Sequence, residues 1–231
     1  DVKVPGMLFG KILRSKYPHA RIVRIDTSRA KKLLGVRAVI TADDVPQIRY
    51  GFMKDQPVLK SGKVRSYRDE VAAVAATTPE IAEEAIGLIQ VEYEALPGVF
   101  DPVEAMKPDA PLVHEENKGN VLKLPWNLVA GDVEEARKSS AFVAEDSFSV
   151  TWVTHCCLGT EGIIADFDLR NNLTVYRNTQ IPSLAQRDYQ DALRVMGIKD
   201  GKVRIIKPTI AGGFGSKLDT YGFEYIAILL A

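Results

Sequence analysis

The run Ala211-Gly212-Gly213-Phe214-Gly215-Ser216-Lys217 holds the residues best suited to chemistry. Three glycines surround one large aromatic. A backbone without Cβ atoms lets another molecule approach closely. Amides at a strand-to-helix corner point outward and can hold oxygen atoms or negative charge. The lysine hints at a phosphate loop, but that motif needs glycine before the lysine and serine or threonine after it. Here Ser216 precedes Lys217 and Leu218 follows, so nucleotide triphosphate binding is not expected. A purely structural tight turn is the competing reading.

Thr179-Gln180 closes a strand-like run and stands before Ile181-Pro182. The Gln180 carboxamide offers a neutral donor and a neutral acceptor. Its plain reading is a helix-entry residue, and the local sequence leaves both open. His155, Cys156 and Cys157 are consecutive. Successive strand residues face opposite sides, so a site could combine His155 with Cys157. Two small buried thiols on a strand is the simpler expectation. His19, His114 and His155 lack the spacings of a zinc site. No G-x-S-x-G nucleophile elbow occurs.

Adjacent cysteines cannot staple a fold, and two cannot supply the four thiolates of an iron–sulfur cluster. The cytoplasm is the expected compartment. The 30 basic and 30 acidic residues cancel, which argues against a nucleic-acid or anionic-membrane surface. Apolar residues make up 46% and charged residues 26%, enough for a core. No apolar run approaches the roughly 20 residues of a spanning helix, and no leader pattern is visible. The chain starts at Asp1 and stops within the apolar run Ile226 to Ala231. A fragment, or one half of a divided subunit, is the expectation.

The elements that must position these groups alternate. Residues 7–14, 21–25 and 37–41 read as strands, with a short helix over 28–34 closed by Gly35. Residues 42–68 read as a long irregular surface loop. Residues 71–76 form a small-apolar buried strand. Thr78 and Pro79 then open an amphipathic helix bearing Ile81, Ala82, Ala85, Ile86 and Ile89, followed by a strand at 91–94. Pro97, Pro102, Pro108, Pro111 and Pro125 mark an extended connector. A helix over 133–139 and a long strand over 142–154 come next. Then follow a hairpin around Arg170-Asn171-Asn172, a helix over 183–196, a strand over 202–210, the glycine loop and a final helix from 223. The fold class is α/β (α+β), with domains at 1–96 and 126–231 joined by a linker at 97–125.

The ordered blocks resemble the molybdenum hydroxylases, the xanthine dehydrogenase and aldehyde oxidoreductase family. Residues 5–15, 18–28, 34–39, 70–75 and 91–97 resemble its α/β hammerhead domain. Residues 131–136, Asn178-Thr179-Gln180 and Gly212 to Gly215 resemble the start of its molybdopterin-binding domain. Residues 154–160 and 213–219 look most like the 4-hydroxybenzoyl-CoA reductase branch.

The resemblance implies that Gln180 hydrogen-bonds an oxygen ligand of molybdenum. It implies that Gly212, Gly213, Phe214 and Gly215 form the loop whose backbone faces the metal's apical oxo group and the pterin. It implies molybdopterin with molybdenum, in the cytosine dinucleotide form, held by its own dithiolene with no side-chain metal ligand. Iron–sulfur clusters and FAD would lie on other subunits or domains. The reaction implied is hydroxylation, or reductive dehydroxylation, of an aromatic, CoA-ester or aldehyde-type substrate. The family's catalytic glutamate is expected downstream, so no catalytic residue is assigned in this chain. Two departures stand out. Leu218 occupies a position often acidic in xanthine-oxidising members, which argues against purine, and Gly159 stands where many members carry glutamate. The alternative reading is a non-catalytic divided or truncated subunit serving assembly or partner binding.

Overall fold

The computed structural model of the chain describes residues 2–122 and 127–231. The expected passage from linker to second domain, at 125–126, lies outside the described residues, as does Asp1. Residues 1–98 and 155–231 form one compact unit, and residues 99–154 form another.

The first unit is organised around β7 (Glu70–Ala76), all seven residues of which are buried. It is the centre of an antiparallel sheet ordered β1-β7-β3, flanked by β1 (Phe9–Arg14) and β3 (Val36–Thr41). A central strand covered on both faces reads as an unbroken apolar run, as this one does. Its alternation divides the work. Ala72, Val74 and Ala76 pack with Ala82, Ala85 and Ile89, whereas Ala73 faces the other way.

Ala82 and Ala85 lie on α2 (Pro79–Leu88). The Thr78 side chain caps this helix by accepting from the Ile81 amide at 3.3 Å. Pro79 occupies the first turn, where a missing N–H costs nothing. The short helix α1 (Ser28–Lys32) precedes β3. A second antiparallel sheet is ordered β6-β2-β8, from β6 (Lys63–Val64), β2 (Ala20–Asp26) and β8 (Gln90–Ala95).

The stretch 42–68 is more than a surface loop. It contains β6 and the two-residue pair β4 (Arg49–Tyr50) and β5 (Gln56–Pro57), and it buries Ile48, Tyr50, Val58, Leu59 and Val64. Strands of two residues are too short to show a period, which is why the sequence reads as irregular.

The rest of this unit is a three-stranded sheet and two helices. Strand β10 (Leu173–Arg177) lies between β9 (Ile163–Phe167), antiparallel, and β11 (Val203–Ile206), parallel. The hairpin turn is held by Asp168, which accepts from the Arg170 and Asn172 amides at 2.8 Å each. Helix α5 (Pro182–Val195) makes the crossover from β10 to β11. Strand β11 ends at Ile206, short of the expected Ile210. Pro208 has no N–H for a ladder. Helix α6 (Gly222–Leu230) follows the glycine loop.

Leu173, Val175, Tyr189, Leu193, Tyr225, Ile226 and Ile228 share one core with Ala73, Tyr50 and Leu59. The hammerhead-like sheet and the loop-bearing sheet are therefore packed on common apolar side chains.

Among its described residues the second unit buries no hydrophobic side chain. Asp101 caps α3 (Pro102–Ala105), and Asp132 caps α4 (Val133–Ser139). The Asn120 side chain ties together Val113, Ala105 and Pro111, and a 3-10 turn spans Lys118–Asn120. The expected long strand over 142–154 has no ladder partner among the described residues. Phe142, Phe148, Val150 and Trp152 lie exposed on it. The alternation is that of a strand, but a strand exists only when another pairs with it. Among the described residues no helix is long and apolar enough to cross a membrane.

Candidate cofactor site

The site grows from two ends of the same sheet. Beyond β10 the chain continues through Asn178 and the fully buried Thr179 to Gln180, just before α5. Beyond β11 it runs to the glycine loop. The two segments are laced together at Lys217. Its carbonyl accepts from the Gln180 amide at 2.9 Å and the Thr179 hydroxyl at 3.2 Å. The Gln180 carboxamide returns the contact, with Oε1 accepting from the Gly215 amide at 3.0 Å and the Lys217 amide at 3.3 Å. Two backbone donors on one oxygen fix which end of the amide is which. Nε2 is thereby turned the other way as a neutral donor, and no hydrogen bond occupies it among the described residues.

Glycine at 213 is required by this packing. A Cβ there would sit 2.5 Å from Gln180 Oε1. The Gly213 carbonyl closes a turn by accepting from the Ser216 amide and hydroxyl, each at 2.8 Å. Around it the backbone is left-handed at Ala211, Gly212, Phe214 and Gly215, with φ of 49°, 92°, 49° and 98°. Two of these are not glycine, and such strain persists only where the surroundings enforce it. The result presents the Phe214 side chain outward, 74% exposed, beside Gly212.

The cysteine segment completes the wall, though not as a strand. Cys156 is exposed and left-handed at φ 45°, and Cys157 is half-buried. The expectation of two buried thiols on a strand is thus corrected. The Gly159 amide bonds to the Ala211 carbonyl instead of a ladder partner. Cys157 Sγ donates to the Gly213 carbonyl at 3.3 Å, and its Sγ is 3.5 Å from Ser216 Oγ. His155 Nε2 lies 3.7 Å from where a Gly215 Cβ would be.

Beneath the loop is a buried polar network. Arg177 and Glu224 are both nearly inaccessible and pair at 2.5 Å. Glu224 also accepts from the Tyr189 hydroxyl at 2.7 Å and the Tyr221 amide at 3.1 Å. Arg177 donates to the Asp219 carbonyl as well. Burial pushes the Glu224 carboxyl up to about 7, against the pull of Arg177 and these donors. Burial and the Glu224 charge push the Tyr189 hydroxyl up too.

Of the residues singled out in the sequence, Gln180, Gly213 and Gly215 meet directly, with Gly212 and Phe214 alongside. The sequence reading missed the Arg177–Glu224 pair and the burial of Lys217. A charged residue carries no local signal that it will be buried.

Comparison with known proteins decides what this cradle belongs to. Residues 1–97 match the family model described as aldehyde oxidase and xanthine dehydrogenase, a/b hammerhead domain. Residues 113–231 match that of the molybdopterin cofactor-binding domain. The chain belongs to the molybdenum hydroxylase family. It is 41% identical to a probable xanthine dehydrogenase subunit of Bacillus subtilis, an alignment covering 100% of this chain and 30% of the relative. It is 38% identical to the nicotinate dehydrogenase large molybdopterin subunit of Eubacterium barkeri, over 95% of this chain and 51% of the relative. Its fold matches the reconstituted CO dehydrogenase from Oligotropha carboxidovorans with a TM-score of 0.84 and 35% identity, over 99% of this chain and 30% of that one. The chain thus spans about a third to a half of these relatives' length.

The residues present fit a molybdenum hydroxylase cofactor. The Gln180 Nε2 donor is held rigid by two amides on its own oxygen. The glycine at 213 keeps the cradle open to it. The Gly215 N–H of the loop is committed to Gln180 Oε1, which leaves Nε2 of the same carboxamide to donate elsewhere.

Proposed function

We propose that this chain supplies one wall of the molybdenum-cofactor pocket in an oxidoreductase that hydroxylates an aromatic nitrogen heterocycle or a related carbon centre. The observation that carries the reading is the doubly anchored Gln180 oxygen, which leaves Nε2 as a preorganised neutral donor beside the glycine loop. When bound, molybdopterin with molybdenum supplies two-electron redox chemistry coupled to oxygen-atom transfer.

The protein's part is positional. Gln180 Nε2 would donate to an oxygen ligand of the metal. A donor already aimed at that oxygen needs no reorganisation during reaction, which is where such groups are most effective. The turn at Gly213 to Ser216 would carry the pterin side. The exposed Phe214 ring would wall the substrate space, giving a flat apolar surface against which an aromatic substrate stacks. The names of the two relatives with 41% and 38% identity, a probable xanthine dehydrogenase and a nicotinate dehydrogenase, support a nitrogen heteroaromatic. Leu218 in place of an acidic side chain argues against purine itself.

The family resemblance further supports the cytosine dinucleotide form of the cofactor, and iron–sulfur and flavin groups on partner subunits to take the electrons. The test is Gln180→Ala in the whole enzyme. Molybdenum content or turnover should fall at least tenfold; wild-type values for both would refute the assignment.

A further inference from the structure

Lys217 is 1% exposed, yet no carboxylate pairs with it among the described residues. A buried ammonium is costly unless its protons are taken up. Lys217 Nζ donates to the Gly159 carbonyl at 2.6 Å and the Ile210 carbonyl at 2.8 Å. Charge-assisted bonds of this length are roughly twice as strong as neutral ones.

These two acceptors lie on different segments. Ile210 opens the glycine loop, and Gly159 ends the cysteine segment. The side chain therefore straps one to the other. The backbone of the same residue holds Gln180, through both its carbonyl and its amide. Gly159 makes the close approach possible. A Cβ there would lie 2.7 Å from the Ala211 Cβ and 3.0 Å from the Ile210 carbonyl oxygen. Two residues before Gly159, Cys157 Sγ donates to the Gly213 carbonyl.

We infer that Lys217 is a positioning residue, whose buried ammonium straps the Cys157–Gly159 segment to the glycine loop and so sets the placement of Gln180 and Gly213 toward the cofactor. Its positioning role rests on the proposed reading of the loop as a cofactor wall; the strap itself does not.

Cys157 is a built-in reporter, because its thiol is half-buried against the loop while neighbouring Cys156 is exposed. The test is Lys217→Met in the whole molybdenum-containing protein, which keeps the stem and removes charge and donors. Iodoacetamide alkylation of each cysteine is followed by peptide mass spectrometry. Molybdenum content and the Mo(V) electron paramagnetic resonance spectrum are recorded in parallel.

Cys157 should react at least about tenfold faster, the lower end of what losing a single charge-assisted hydrogen bond would give. Cys156 should not change, and the Mo(V) signal should shift or broaden. Unchanged Cys157 labelling overturns the strap, even if Gln180→Ala still loses molybdenum. Equal acceleration of both thiols also overturns it, because that reports general loosening. Faster Cys157 labelling with wild-type molybdenum content and spectrum leaves a strap but overturns its positioning role, while the cofactor reading stands or falls separately on Gln180→Ala.

If Lys217→Met does not fold, Gly159→Ala strains the same strap from the other side. It should raise Cys157 labelling with Lys217 intact. The double variant Gly159→Ala/Ala211→Gly should reverse part of the effect by removing the methyl at 2.7 Å while the tight approach to the Ile210 carbonyl remains, at a residue whose φ of 49° suits glycine. Failure of Gly159→Ala to expose Cys157 would again overturn the inference.

Discussion

Replacing Gly213 by alanine places a methyl group where the Gln180 carboxamide sits. The added Cβ would lie 2.5 Å from Oε1, 2.6 Å from Cδ and 2.8 Å from Cγ. Gly213 is not among the left-handed glycines, so backbone strain adds nothing to the penalty. The side chain must retreat by about 1 Å to reach ordinary contact, which carries Oε1 beyond the ~3.2 Å limit of a sound N–H···O bond. The Gly215 and Lys217 amides then both lose their acceptor. At about 1 kcal/mol net for each bond, the variant should lose about 2 kcal/mol.

Gln180→Ala removes the same two bonds, so it should cost a similar amount. The informative measurement is the pair. With Gln180 already alanine, the three atoms the Gly213 methyl would strike first are gone, so it should cost little. The double variant should therefore resemble either single one, with a coupling of about 2 kcal/mol. Urea unfolding of the wild-type protein, both single variants and the double variant gives the cycle. Molybdenum content of the same preparations reports the cradle. Additivity to within about 0.5 kcal/mol would show that Gly213 and Gln180 do not depend on each other, and would refute the account of the cradle.

Other expectations follow from the fold. The Glu224 carboxyl is pushed up to about 7 from an ordinary value of 4.5. Between those values the native state holds a proton that the unfolded chain has released, so stability should fall as pH rises through this window and level off above it. Urea midpoints from pH 5 to 8 should show that slope in the wild type but not in Glu224→Gln; equal slopes in both would exclude Glu224 as its source. Thr78→Ala removes the acceptor for the Ile81 amide at the start of α2. It should cost about 1 kcal/mol, seen as a lower urea midpoint with no change in molybdenum content.

Local signals carried much of the architecture. Helix α2 was legible because its cap, its first-turn proline and its apolar period all agree over ten residues. The hairpin at Asp168 to Asn172 was legible because Asp and Asn bond their own backbone, whatever lies elsewhere. The two-residue strands β4 to β6 were not, since pairing and burial define them and two residues show no period. The strand pattern over 142–154 shows the converse. Alternating side chains give a strand its faces, but its backbone needs a neighbour to bond.

The candidate site divides along the same line. Residue order is enough to mark 211–217 as a glycine-rich loop after a strand, and to set Gln180 at a strand-to-helix entry. Family resemblance linked them, but no local rule could. Their contact comes from the packed fold, because the parallel pairing of β10 with β11 brings two distant strand ends to one edge. From the fold, too, come the inward turn of Lys217 to two carbonyls, the seat of Cys157 on Gly213, and the outward nitrogen of Gln180. Loop conformation and helix period depend on neighbours a few residues away, whereas the partner of a buried polar group is whatever the packed core leaves within hydrogen-bond reach.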